Sequence, residues 1–161
     1  MKKIITASVL AMGMMATSAS ALEVGLGYAV GAANSAEASG VRVPLDFDFG
    51  LRIEPELGFS KHLTTLAVGG YYTFMKIEEV NLFAGGRLGF TKSDYNYING
   101  NDITGMSLQG LVGAEYFVVP KKFSIAAQVG LESATGDLTK WNNGGDTDFG
   151  TTGAVIGHFF F

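Results

Sequence analysis

Few residues of this chain carry side chains suited to catalysis. The 161 residues include two histidines, His62 and His158, and no cysteine, which excludes a thiol nucleophile and a thiolate metal site. A general base needs a nucleophile within hydrogen-bond reach. His62 has only Ser60, Thr64 and Thr65 near it in the sequence, and His158 precedes three consecutive phenylalanines. We therefore expect no catalytic residue and no enzyme activity.

One acidic segment has the ligand chemistry of a calcium site. Residues 137–148 are rich in Gly, Asn and Asp, whose oxygen atoms suit Ca²⁺. The segment lacks the regular ligand spacing of a dedicated calcium loop, so we expect a polar loop there. No metal and no cofactor is expected from the sequence.

Charged residues recur at alternate positions inside otherwise apolar segments. From Leu22 onward the dominant period is two, which is the period of a β-strand with one apolar and one polar face. The polar face includes Glu23, Arg42, Arg52, Glu54, Glu56, Arg87, Gln109, Glu115, Gln128 and Glu132. The strands must therefore place these side chains together on one side of a sheet.

The alternating segments predict eight strands joined by short and long connections in turn. Tight turns are expected near residues 46–48, 75–79 and 119–122. Longer, polar connections are expected at residues 33–39, 60–64, 92–104 and 133–148. In an antiparallel meander all the tight turns fall at one end, and short turns opposite longer loops are typical of transmembrane barrels.

The start of the chain carries the features of an export signal. Two lysines, an apolar run and the small residues Ala19-Ser20-Ala21 predict a secretory signal peptide over residues 1–21. The remaining residues, 22–161, form one domain with nine basic and 15 acidic side chains. This acidic balance argues against nucleic acid as a partner.

The fold class follows from the absence of a long apolar run after the signal. No later segment approaches 18 consecutive apolar residues, the length of a membrane helix. Open sheet edges are not tolerated in lipid, so a chain that crosses a bilayer with strands must close them into a barrel. We predict an all-β, eight-stranded antiparallel up-and-down transmembrane β-barrel.

With these strands, the signal peptide and a terminal Phe159-x-Phe161, the chain resembles the small eight-stranded outer-membrane barrels of the OmpA/OmpX type. That family usually has a glycine five residues before the last aromatic, whereas Gly157 here stands four before it. The resemblance implies a bare barrel without a periplasmic domain, in the outer membrane of a Gram-negative cell. It also implies contact with lipid and lipopolysaccharide, and assembly machinery that reads Phe159 and Phe161.

The interior of an eight-stranded barrel is just wide enough to be filled by side chains. If Phe74 lies opposite Val80, then Arg87 lies opposite Ala67, at the level of Glu56. We predict a Glu56–Arg87 ion pair near the middle of the barrel. The rest of the predicted lumen network comprises Arg52, Glu54, Gln109 and Glu115.

These features favour a monomeric barrel with a structural or surface-interaction role, in adhesion or envelope integrity, through its outer loops. The alternative is a narrow ion or small-solute channel gated by the internal salt bridges. A third possibility is an outer-membrane lipid-modifying enzyme, but neither histidine lies in the His-x-Ser-Asn run of lipid A deacylases of this shape. A fourth possibility is a soluble periplasmic ligand-binding barrel, which requires the apolar side chains to face inward and the charged side chains to face outward.

Overall fold

The computed structural model describes residues 22–33, 39–59, 63–93, 103–137 and 147–161, and these form one antiparallel sheet. The strands are β1 (Leu22–Ala33), β2 (Ser39–Arg42), β3 (Leu45–Phe47), β4 (Leu51–Phe59), β5 (Leu63–Ile77), β6 (Val80–Ser93), β7 (Ile103–Val119), β8 (Phe123–Gly136) and β9 (Thr147–Phe160). The predicted signal peptide, with Ala19 and Ala21, lies outside the described residues, as does His62.

Within the described part of the chain, no helix is long and apolar enough to cross a membrane.

Strands β2 and β3 are two parts of one barrel strand. Both pair with β1 on one side and with β4 on the other. Hydrogen bonds continue between them, because the Val43 N–H donates to the Pro55 carbonyl at 2.9 Å and the Gly25 N–H to the Pro44 carbonyl at 3.0 Å. Since β1 also pairs with β9, the sheet closes. The predicted eight-stranded antiparallel up-and-down barrel is confirmed.

The strands are strongly staggered around the barrel. A path from Glu23 on β1 through each registered partner crosses the whole sheet and returns to β1 at Ala33, ten residues further on. A stagger of this kind accompanies a strand tilt of about 35–45° and a lumen filled by side chains. Residues that meet across the lumen are therefore displaced along the chain from the registered pairs.

The two faces of the sheet are those predicted from the period of two. Outward apolar side chains are exposed, for example Leu66, Val112 and Val129, whereas most of the polar side chains that face inward are buried. A soluble barrel would have the opposite arrangement, so that alternative is wrong. Aromatic side chains on the outer face lie near both ends of the strands: Phe90 and Phe149 at the loop end, and Phe74, Tyr116 and Phe159 at the turn end.

The first turn lies two residues beyond its predicted position. We expected it near residues 46–48, but β3 extends through Phe47 and the turn occupies residues 48–50. Gly50 has φ +86°, a conformation that costs glycine little because it has no Cβ. The chain therefore reverses where this glycine stands.

The other connections are shorter than predicted. The turns span residues 78–79 and 120–122, rather than 75–79 and 119–122. The longer connections shrink to 34–38, 60–62, 94–102 and 137–146, because the strands continue into segments that were expected to be loops. Polar residues near a barrel end can thus still belong to a paired strand.

The turn between β5 and β6 is tighter than predicted and a β-bulge follows it, so the predicted register of these two strands is wrong. Val80 pairs with Ile77, and the register shifts between Thr73 and Met75, so Phe74 does not lie opposite Val80. As a result Arg87 lies opposite Gly69, two residues from the Ala67 that faces Glu56. A bulge adds an unpaired residue to one strand, which an alternation pattern does not reveal.

We expect Val112→Arg to destabilise the barrel far more than Thr104→Arg. Both side chains face outward on β7, but Val112 lies near the middle of the strand and Thr104 near its loop end. Arginine on the lipid face costs about 2–4 kcal/mol at the bilayer midplane and about 0–1 kcal/mol near the interface. Reversible urea unfolding in lipid vesicles measures both values, and equal losses would contradict this orientation in the bilayer.

Candidate functional site in the barrel lumen

The lumen holds an unusual number of buried charged side chains. Alternation along each strand points them inward, and closure of the sheet removes them from both lipid and bulk water. Among the described residues the buried charged side chains are Arg42, Glu54, Glu56, Arg87, Glu115 and Glu132, together with the imidazole of His158. A charge in such a space is costly unless it is paired, so the contacts among these groups decide what the lumen can do.

The first cluster is centred on Glu56. The Arg87 Nε donates to Glu56 Oε2 at 2.9 Å, and Arg87 Nη2 donates to Oε1 at 3.0 Å. This two-point geometry is the strong form of the arginine–carboxylate contact. The structure thus brings Glu56 and Arg87 together even though their predicted register is wrong. Ala67, the β5 residue opposite Glu56, carries only a methyl group, which leaves room for the arginine to reach across β5, whereas the space beside Gly69 is occupied by the ring of Tyr71.

Arg42 extends this cluster toward the turn end. Its Nε lies 3.0 Å from Glu56 Oε2, and its Nη1 donates to Glu54 Oε1 at 2.9 Å. Glu56 is therefore held by two guanidinium groups at once. Arg42 belongs to the predicted polar face but not to the predicted network. Its place beside Glu56 depends on the register of β2 with β4, which the sequence pattern does not give.

The second cluster is centred on Arg52. Its Nε donates to Asp46 Oδ1 at 2.6 Å, and its Nη2 donates to Asp46 Oδ2 at 2.7 Å and to Glu115 Oε2 at 2.8 Å. The Ser124 hydroxyl donates to Glu115 Oε1 at 2.6 Å. The guanidinium also lies 5.6 Å from the centre of the Phe160 ring. Arg52 and Glu115 are thus in contact, but with Asp46 rather than Arg87 as a further partner.

His158 joins the two clusters. Its Nδ1 lies 3.0 Å from Glu115 Oε1, and its Nε2 lies 3.4 Å from Glu54 Oε2. The ring is 1% exposed and faces Gly27 on β1, where a Cβ would lie 2.5 Å from the imidazole Cδ2. The glycine therefore provides the space that the ring occupies. Sequence reasoning weighed this histidine as a catalytic candidate and left it out of the predicted lumen network, although its parity on the last strand points inward.

Gln109 lies next to Arg87 and Glu132 in the sheet register, and its Nε2 donates to Glu132 Oε1 at 3.2 Å. Nearer the loop end, the hydroxyls of Thr65 and Thr91 are 2.7 Å apart. Members of the predicted network therefore meet in the two clusters joined by His158 and in the contact between Gln109 and Glu132.

Apolar side chains also pack together in the lumen. The cluster comprises Ala29, Tyr71, Phe83, Leu111, Ala126 and Ile156. Tyr71 and Phe83 meet edge to face with ring centres 5.6 Å apart. The predicted polar face omitted this plug, although the parity of large apolar residues such as Phe83 and Leu111 within their strands signals an inward position. Ionic contacts and apolar packing together occupy the middle of the barrel.

An open cavity of about 380 Å³ lies at the turn end. It reaches inward to Asp46 and Arg52, and its rim includes Asp48, Lys76 and Glu78. The cavity therefore connects the second cluster with the surroundings at this end of the barrel.

Catalytic and metal chemistry have little support in the described residues. His158 is enclosed in the lumen, away from the lipid face on which a lipid-modifying enzyme would need its base. No group of three or more histidine or acidic side chains within the described ranges is arranged to hold a metal ion. Most of the acidic segment 137–148 lies outside those ranges, so its calcium chemistry stays a prediction of the sequence alone.

Comparison with known proteins supports the fold. No protein-family profile and no curated protein sequence matches this chain. The crystal structure of Neisserial surface protein A, an eight-stranded outer-membrane barrel, superimposes with a TM-score of 0.51 at 15% sequence identity, covering 87% of this chain and 96% of that one. The resemblance to small outer-membrane barrels is confirmed; identity this low shows the fold and leaves the role open.

We expect Arg87→Gln to lower the free energy of unfolding by about 3–5 kcal/mol, because it leaves a buried carboxylate with one of its two guanidinium partners. The double variant Arg87→Gln with Glu56→Gln should recover much of this loss, since it removes the uncompensated charge. Urea unfolding in vesicles, followed by circular dichroism, measures the coupling. Additive losses in the double variant would show that the pair is not energetically linked.

Proposed function

We propose that this protein is an integral outer-membrane barrel with a structural or surface-interaction role, acting as a monomer and without catalytic activity. The observation that carries this proposal is the filled lumen. Among the described residues, ionic contacts and the apolar plug occupy the middle of the barrel, which leaves the loops as the parts best placed to meet a partner. Adhesion and support of the envelope both suit such a molecule.

Several features support placement in the outer membrane. The exposed outer face is apolar along the strands and carries aromatic side chains near both ends, as lipid-facing barrels do. The sequence of residues 1–21 predicts export. In this setting the tight turns face the periplasm and the longer connections face the cell exterior, where lipid and lipopolysaccharide surround the barrel.

The terminal aromatic residues support a further partner, the barrel-assembly machinery. Phe159 and Phe161 both point away from the lumen, and Phe161 is 82% exposed. Their rings meet edge to face at 5.6 Å, so they form one accessible aromatic surface at the end of β9. We propose that this surface is the part of the folded chain that corresponds to the assembly signal.

Replacing residues 94–102 or 138–146 by Gly/Ser linkers should abolish the cellular phenotype while the barrel still folds. The phenotype is read as resistance of cells to detergent and as adherence to immobilised host matrix proteins. The folding control is recovery in the outer-membrane fraction with a gel mobility that changes on boiling. The matched control, Arg87→Gln, alters the lumen only and should retain the phenotype in cells where it folds. Loss of the phenotype in Arg87→Gln with retention in the loop variants would contradict the proposal. Recovery of the wild-type chain as a soluble protein would contradict it as well.

A narrow channel is the second candidate, and two observations favour it. The cavity at the turn end already reaches Arg52, so the closed segment that would block ions occupies only part of the length of the barrel. Glu56 Oε2 also lies at about the same distance from Arg42 and Arg87, 3.0 Å and 2.9 Å, so either arginine could retain it while the other moves. Exchange of this kind would open a path without unfolding a strand.

The filled lumen predicts no resolved single-channel steps for the wild-type barrel in planar lipid bilayers. Arg87→Gln, in contrast, removes the larger of the two side chains at the mid-lumen contact and should permit brief conducting events. The matched outward substitution Val129→Leu leaves the lumen unchanged and should stay silent. Regular steps from the wild-type protein that disappear in Arg87→Gln would favour the channel over the structural role.

A further inference from the structure

Two prolines interrupt the hydrogen-bond ladder on both sides of the split strand, residues 39–47, that β2 and β3 form. Pro44 lies in this strand opposite Gly25 of β1, and Pro55 lies at the centre of β4 opposite Val43. Each proline carbonyl accepts a bond, from the Gly25 N–H at 3.0 Å and from the Val43 N–H at 2.9 Å. Because proline has no N–H, the carbonyls of Gly25 and Val43 do not receive the return bond of an antiparallel pair.

On the β4 side of the split strand, ion pairs bridge the interrupted ladder. The Arg42 guanidinium lies 3.0 Å from its registered partner, Glu56 Oε2, and its Nη1 donates at 2.9 Å to Glu54, which lies opposite the proline. Further along, Asp46 accepts two bonds from its registered partner Arg52, at 2.6 and 2.7 Å. Side-chain contacts therefore hold the split strand to β4 on both sides of the β2–β3 junction.

On the β1 side, no ion pair takes this place among the described residues. The luminal positions of β1 along this pairing are Glu23, Gly25 and Gly27, opposite Asp46, Pro44 and Arg42. Two of these β1 residues have no side chain, and the third places a carboxylate opposite another carboxylate, which destabilises a strand pair. The β1 side therefore depends on backbone pairing and on the packing of the Pro44 ring against Gly25, where a Cβ would lie 3.0 Å from the ring Cγ.

The cavity at the turn end lies beside this less supported pairing. Its lining includes Glu23 from β1 together with Asp46 and Phe47 from the split strand. These positions belong to the short pairing of β3 with residues 22–24 of β1. Separation of β1 from the split strand at this level would join the cavity with the lipid outside the barrel.

We infer that the pairing of β1 with the split strand is the place at which the barrel wall opens, beside Pro44, while the ion pairs keep the split strand on β4. The opening is lateral, from the turn-end cavity toward the surrounding lipid. It leaves the apolar plug and the contact between Glu56 and Arg87 in place. This conformational device is a property of the wall, so it is independent of whether the barrel serves a structural role or forms a channel.

Amide hydrogen exchange of the full-length barrel in detergent micelles, followed by NMR, tests the inference on a matched pair of bonds. The N–H groups of Gly25 and Val43 each donate to a proline carbonyl, one on each side of the split strand. After correction for the intrinsic exchange rate of each residue, we expect Gly25 to exchange at least about tenfold faster than Val43, because local opening exposes it more often. Equal exchange, or faster exchange at Val43, would overturn the inference.

Two valine variants show which proline weakens the wall. Pro44→Val returns an N–H to the β1 side and should slow the exchange of Gly25 to about the rate of Val43. Pro55→Val returns an N–H to the β4 side and should leave the exchange of Gly25 unchanged. Valine is favoured in strands, so both barrels are expected to fold. If both variants slowed Gly25 to the same extent, the opening would not be local to β1, and the inference would be wrong.

An engineered disulfide tests the same site without changing either proline. Val24 and Leu45 are outward-facing partners between hydrogen-bonded pairs, a position where Cα atoms lie about 4.5 Å apart, within disulfide range. Oxidised Val24→Cys/Leu45→Cys should slow unfolding in urea at least about tenfold, since it closes the strand pair that opens first. The control, Leu88→Cys/Leu108→Cys, joins the equivalent kind of pair between β6 and β7 and closes a loop of nearly equal length. Equal slowing by the two disulfides would contradict the inference.

Discussion

Each barrel strand is hydrogen-bonded on both sides, and the pairing of β1 with β9 leaves the described sheet without a free edge along that seam. In hydrocarbon, water cannot replace a missing partner, and each unpaired N–H or C=O group costs several kcal/mol. Closure is therefore the condition under which the other features can exist. The two prolines near the β2–β3 junction also take part in the pairing, because the carbonyls of Pro44 and Pro55 accept hydrogen bonds from neighbouring strands.

Closure at this size also determines the chemistry of the interior. A lumen bounded by eight tilted strands has little room for water, so charged side chains placed there by alternation must find one another. The chain provides space for these contacts through small residues. Ala67 leaves room for Arg87 to reach Glu56 across β5, Gly69 makes room for the ring of Tyr71, and Gly27 makes room for the ring of His158. Replacing such a small residue by a larger one would disturb a contact between other side chains to which the small residue itself contributes no atom.

The described part of the lumen is closed in the middle and open at the turn end. The apolar plug and the Glu56 cluster occupy the middle, while the turn end is open as far as Arg52. The closed middle of the lumen is the observation on which the proposed structural or surface-interaction role rests.

The sequence by itself determined which residues face the lumen, because side-chain alternation depends only on the local geometry of a strand. Arg42, Arg87, Glu115 and His158 could all be assigned inward before any strand was paired. Only the tertiary structure decided which of them meet. Contacts across a barrel depend on register, which is determined by the exact length of each turn and by local irregularities such as the bulge between Thr73 and Met75. His158 shows the limit: its partners come from β4 and β7, and only closure with a ten-residue stagger brings those strands to β9.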